Sequence, residues 1–144
     1  MKIHLIGETK TIISNPDSKH NYFAWPSVAR LPNGKIAVAA SGFRIAHICP
    51  FGKTVLALSE DEGETYTQPI PIIDTVLDDR DAGLCPFGES GLILTSFNNS
   101  ADDQRRYLRS CKNEATAAYI SAYLDTYTKA EEDASLSGLN LSGK

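Results

Sequence analysis

Ser59-Glu60-Asp61-Glu62-Gly63-Glu64-Thr65-Tyr66 is the stretch on which the reading of this chain turns. It follows Lys53 to Ser59, a short run carrying Val55, Leu56 and Leu58, and precedes Pro69 to Ile73, so it joins two strands. The octapeptide has the chemistry of a tight connection. Asp61 is placed to accept hydrogen bonds from the amides of its own turn, Gly63 takes a positive φ, and Ser59 and Thr65 close the loop. Tyr66 then packs back onto the sheet. The prolines of the following strand are tolerable only at a sheet edge, which makes that strand the outermost one.

Reading outward, Ser27 to Leu31, Pro32-Asn33-Gly34 and Lys35 to Ala40 carry a hairpin signature, with Asn-Gly supplying the positive φ angles of the turn. Ala82 to Phe87, Gly88-Glu89-Ser90-Gly91 and Leu92 to Phe97 repeat the pattern. Ile3 to Ile6 and Thr11 to Ser14 are brief β-branched runs ahead of both. Ile48-Cys49-Pro50-Phe51-Gly52 and Leu84-Cys85-Pro86-Phe87-Gly88 are nearly identical and 36 residues apart (48 to 84), although they occupy different places in their hairpins. Strand-turn-strand units at this spacing suggest a repeat architecture such as a propeller. After Asn98 the character changes. Asn98 to Asp103 reads as a loop, and the region from Asn113 to about Ala134 reads as one helix, with Ile120, Tyr123, Leu124 and Tyr127 along a single stripe. Ser135 to Lys144 reads as a frayed tail.

Composition narrows the classes of function. The 144 residues are 42 % hydrophobic and 22 % charged, as in ordinary globular proteins, and the formal net charge is −4. The acidic balance disfavours nucleic acid, because the basic group Arg105, Arg106, Arg109 and Lys112 directly follows Asp102 and Asp103. No apolar run is long enough to cross a bilayer. The amino terminus lacks the apolar core of a secretory signal, so a cytoplasmic location is expected. Three cysteines, Cys49, Cys85 and Cys111, lack metal spacing and are expected to be free thiols. No cofactor or metal is implied.

The octapeptide matches the Asp-box, S-x-D-x-G-x-T-aromatic, and with it residues 20 to 97 resemble the sialidase (neuraminidase) superfamily of BNR-repeat proteins. The resemblance implies a six-bladed β-propeller with its site in a central funnel and the Asp-box on the rim away from the substrate. Ala24-Trp25-Pro26 stands where the family opens its first blade with Arg-Ile-Pro. One arginine of the carboxylate-binding set is therefore replaced by Ala24. Arg44 and Arg80 remain as the expected funnel cations, whose guanidinium forks suit a carboxylate. A blade spans ~40–50 residues, so the chain accounts for about two blades. The expected fold is mainly β: a partial six-bladed propeller over residues 1–100, then a loop, one C-terminal amphipathic helix and a tail of the truncated next blade over 101–144. Three copies of two blades would rebuild a six-bladed ring, so a homo-oligomer is a possible partner arrangement.

The function implied by the resemblance is that of an exo-acting glycoside hydrolase on a terminal sugar, or an incomplete piece of one. The alternative is a non-catalytic sugar-binding or assembly module. Glycoside hydrolysis needs a proton donor beside the glycosidic oxygen, and Asp79 or Asp81 is the candidate. The competing reading of Asp78 to Asp81 is the ion-paired start of a strand. Arg44, His47, Arg80 and Trp25 are the candidate sugar contacts, Trp25 because aromatic faces stack on pyranose rings. The tyrosine nucleophile, its glutamate partner and the third arginine of the family come from later blades.

Overall fold

The computed structural model describes residues 7–133. The fold is mainly β, with two antiparallel sheets and few helices. Strands β1 (Tyr22–Arg30), β2 (Ile36–Arg44), β3 (Lys53–Ser59) and β4 (Ile70–Ile73) form a four-stranded meander in sequence order, and β5 (Asp78–Phe87) pairs with β6 (Gly91–Asn99) in a second sheet. Among the described residues, one of the expected strand runs is missing. Ile3 to Ile6 lies outside the described residues, and 11–14 forms no strand. Instead Thr11, Ile12 and Ile13 line a groove with Phe23, Val38 and Ala40. The β4 proline, Pro71, sits in an edge strand, where a missing N–H leaves no gap in the ladder.

The two sheets are joined face to face through β2. Its residues Ala37, Val38, Ala39, Ala40 and Ser41 are all buried, and they are mostly small, which lets β5 approach closely. Hydroxyl groups fasten the layers. Ser27 Oγ donates to the Ala82 carbonyl at 2.6 Å, the Asp81 amide donates to Ser41 Oγ at 2.9 Å, and the Thr54 and Ser96 hydroxyls bond to each other at 2.7 Å. Polar groups paired between the sheets in this way favour one register of the two sheets.

The Asp-box folds as its chemistry requires. Asp61 Oδ1 accepts from the Thr65 amide at 2.8 Å and from Ser59 Oγ at 2.8 Å, while Ser59 Oγ accepts from the Gly63 amide at 2.9 Å. Gly63 has φ +89°, a conformation costly for residues with a Cβ. The Thr65 hydroxyl and amide, with Ser59, hold the Asp61 carboxyl down to about 2. Because the folded value lies below the unfolded one, the turn stabilises the fold above about pH 4 and that contribution is lost as pH falls towards 2. Asp61→Asn is expected to lower the melting midpoint at pH 7, and the gap from wild type to close between pH 4 and 2 in melts followed by circular dichroism.

The helical region is divided, unlike the single helix expected. α1 (Ala101–Leu108) and α2 (Glu114–Leu124) are separate, and residues 129–133 begin another helical segment. Side-chain caps impose the divisions. Ser100 Oγ accepts from the Asp103 amide, Asn113 Oδ1 accepts from the Thr116 amide, and Thr128 and Glu131 bond reciprocally as a capping box. Ile120 and Leu124 are fully buried with Cys49 and Ala101, against Ile45, Ala46 and Phe51 of the β2–β3 connection. Tyr123, by contrast, lies at the surface beside Phe51, 4.4 Å between ring centroids.

Candidate functional site

The first strand of the meander carries two register shifts, between Tyr22 and Ala24 and between Ala24 and Ser27, and Trp25 lies within the second with φ +51°. β5 carries a corresponding shift between Arg80 and Gly83, and Asp81 there has φ +54°. Positive φ at residues with side chains is costly and persists only where the surroundings impose it. Both irregularities fall at the same end of the strands, where β2 finishes at Arg44 and the chain runs on to His47. The Asp-box turn is at the opposite end of β3. Here the bulges re-aim side chains that regular alternation would separate.

The result is a cluster drawn from separate segments. The Arg80 guanidinium lies over the Trp25 ring at 4.4 Å, and His47 meets the same indole edge-to-face with centroids 5.0 Å apart. Asp81 Oδ2 sits 3.3 Å from Arg80 Nε with 46 % of its side chain exposed. His47 is exposed too, and its ring lies 6.4 Å from that of Tyr107 on α1. Tyr22 borders Trp25 at 5.9 Å. Arg80 Nη1 donates to the His47 carbonyl at 3.1 Å, and Nη2 has no protein partner among the described residues. An aromatic ring, a nearly buried guanidinium held by cation–π attraction and an accessible carboxylate therefore lie against one another. Tyr22 and Tyr107 were not legible as neighbours, because neither belongs to a motif and Tyr107 arrives on α1, a helix not expected from the sequence.

Arg44 lies beneath this cluster. It is fully buried, and its Nη2 donates to Asp78 Oδ1 at 2.6 Å and to the His47 carbonyl at 2.7 Å. Nη1 donates to the Asp79 carbonyl at 3.3 Å, and Nε has no partner among the described residues. Asp78 is equally buried, and it also accepts from Asn99 Nδ2 at 2.9 Å and lies 3.6 Å from Arg80 Nη1. The pair anchors the loop carrying His47 to the strand carrying Arg80. Gly52 closes over it, with a hypothetical Cβ falling 2.2 Å from Arg44 Nη1 and 2.5 Å from Asp78 Oδ1.

Asp79 points elsewhere. Its carboxyl is buried and accepts from the Thr75 amide at 2.6 Å, the Thr75 hydroxyl at 3.0 Å and Asn98 Nδ2. Burial pushes this carboxyl up to about 6 against the Thr75 bonds, and the negative charges of Asp74 and Asp78 add to the rise. The folded value lies above the unfolded one, so the associated stability is full below about pH 4 and is lost as pH rises through 6. Asp79→Asn, which keeps the size and can retain these partners after an Asn98 amide flip, is expected to remove that slope. Thermal melts from pH 4 to 7 should show the variant gaining on wild type, whereas parallel curves would contradict the assignment.

Cys49 is buried, Cys85 exposed and Cys111 partly exposed, and all three are free thiols. No group of three or more metal-ligating side chains is arranged to hold an ion among the described residues, and no helix there is long and apolar enough to cross a membrane. Comparison of the chain with protein-family models, with curated proteins and with solved structures finds no match to any of the three.

Proposed function

We propose that this chain contributes part of the sugar site of a sialidase-like propeller glycosidase, with the cluster of Trp25, His47, Arg80 and Asp81 receiving a terminal sugar. The observation that carries the reading is the convergence of these four side chains at one end of the sheets, two of them on residues held at positive φ. In this reading the indole edge and the imidazole form the wall for the sugar ring, and Arg80 meets an anionic substituent. Asp81 is the proton donor to the glycosidic oxygen. Its charge partner Arg80 keeps it oriented, and its exposure leaves it accessible to substrate. The four-stranded meander then corresponds to one blade and the β5–β6 hairpin to the start of the next.

A second reading is favoured by a specific feature. Asp79 is committed to Thr75 and Asn98, so Asp81 is the one exposed carboxylate in the cluster. Hydrolysis needs a second group across the ring, a nucleophile or a base. Without one supplied by further blades the cluster binds sugar and does not cleave it. An aryl-glycoside panel separates the two. Turnover that disappears in Asp81→Ala supports the hydrolase, and saturable sugar binding without turnover supports the binding module. Neither turnover nor binding overturns both.

A further inference from the structure

A cleft of about 430 Å³ shares no residue with the Trp25 cluster. Its walls include Phe43, Phe51 and Tyr123, and its polar lining includes His20, Lys53 and Asp74. The volume falls within the ~300–1,000 Å³ range of small-molecule sites, and an apolar lining with a few polar groups is their usual composition. Three independent segments build it. The ends of β2 through β4 give the floor, α2 brings Tyr123, and the 15–20 segment brings His20. That last segment is held in place by Asn15 Nδ2 donating to the His20 carbonyl at 3.2 Å and by the His20 amide donating to Ser18 Oγ at 3.1 Å.

We propose that this cleft binds a neutral pyranose, with Tyr123 and Phe51 against an apolar face of the ring and with His20 and Lys53 on its hydroxyls. The polar groups are suited to that chemistry. His20 Nδ1 lies 3.1 Å from the Phe43 carbonyl, which only accepts, so Nδ1 carries the hydrogen and Nε2 is left as an acceptor for a hydroxyl. Lys53 Nζ is 2.5 Å from Asp74 Oδ2, which satisfies one of its three donors and leaves two for ligand oxygens. The ion pair cancels its own charge, so neither an anionic nor a cationic ligand is selected. Hydroxyl groups, each both donor and acceptor, match an acceptor nitrogen beside donor N–H groups. The tilted rings of Phe51 and Tyr123, 4.4 Å apart, supply the apolar surface.

The test titrates the full chain with methyl β-galactopyranoside and methyl α-glucopyranoside while amide shifts are followed by NMR. Saturable shifts confined to 15–20, 51–53 and 119–124 are expected for at least one glycoside. Tyr123→Ala should weaken that binding at least tenfold, and so should His20→Ala. Tyr123 is 37 % exposed, so its truncation leaves the core intact. Asp81→Ala, in the other cluster, should leave this affinity unchanged, which distinguishes the two sites. Absence of saturable shifts for both glycosides would overturn the proposal, as would binding that Tyr123→Ala does not weaken. Should His20→Ala prove unstable, Lys53→Met serves as the second polar variant with the same expected loss.

Discussion

Asp78→Ala is expected to cost about 3–5 kcal/mol, the range for removing one partner of a buried ion pair. Two donors lose an acceptor at once, Arg44 Nη2 and Asn99 Nδ2, and Arg80 loses an ionic neighbour at 3.6 Å. Arg44 then remains fully buried with its charge uncompensated. Against a total stability of ~5–15 kcal/mol for an ordinary domain, this is a large fraction. The companion experiment replaces both partners, Arg44→Met with Asp78→Leu, and should recover much of the loss, because well-packed apolar groups carry no desolvation penalty. Urea unfolding followed by tryptophan emission measures both. A loss below about 1 kcal/mol for Asp78→Ala would place the pair in water, where such pairs contribute little.

The second large effect comes from a change without charge. Gly52→Ala adds one methyl group at 2.2 Å from Arg44 Nη1 and 2.5 Å from Asp78 Oδ1, distances at which atoms cannot coexist. The loop has little freedom to yield, since the Gly52 carbonyl accepts from the Asp79 amide at 3.2 Å and the Gly52 amide donates to the Cys49 carbonyl at 3.1 Å. Overpacking of this kind costs typically ~1–3 kcal/mol, and here it also displaces the ion pair. The cost should shrink in the Arg44→Met, Asp78→Leu background, where the clashing atoms are gone. Residues in contact are expected to be non-additive in this way. Equal costs in the two backgrounds would show that Gly52 acts independently of the pair.

How much of this was legible in the sequence differs from one element to another. The Asp-box turn and the Pro32-Asn33-Gly34 hairpin were readable because their bonds are local, each closing within a few residues. Ser100-Ala101-Asp102-Asp103 also carried a local helix-start signal, but it sat inside a polar run and read as loop. The division of the carboxy-terminal helix at 125–127 was obscured because the apolar stripe continues through Tyr127 while the caps at Asn113 and Thr128 set the true boundaries. The candidate residues themselves were readable by type, as aromatic, guanidinium, imidazole and carboxylate. Their geometry was not, because it depends on two bulges. Alternation along Asp79, Arg80 and Asp81 sets both acids on one face, whereas the positive φ of Asp81 brings its carboxylate to Arg80 and leaves Asp79 with Thr75. Arg44 and Asp78 are 34 residues apart, and nothing local pairs them.

Trp25 is the only tryptophan in the chain, so its emission reports the proposed sugar cluster directly. The most direct test is a fluorescence titration with terminal acidic sugars, N-acetylneuraminic acid and glucuronic acid. A saturable change in Trp25 emission that is weakened at least tenfold in His47→Ala and by methyl esterification of the sugar is the predicted result. Emission that stays constant to saturating sugar, or that changes equally for acid and ester, would contradict recognition of an anionic sugar at Trp25 and Arg80.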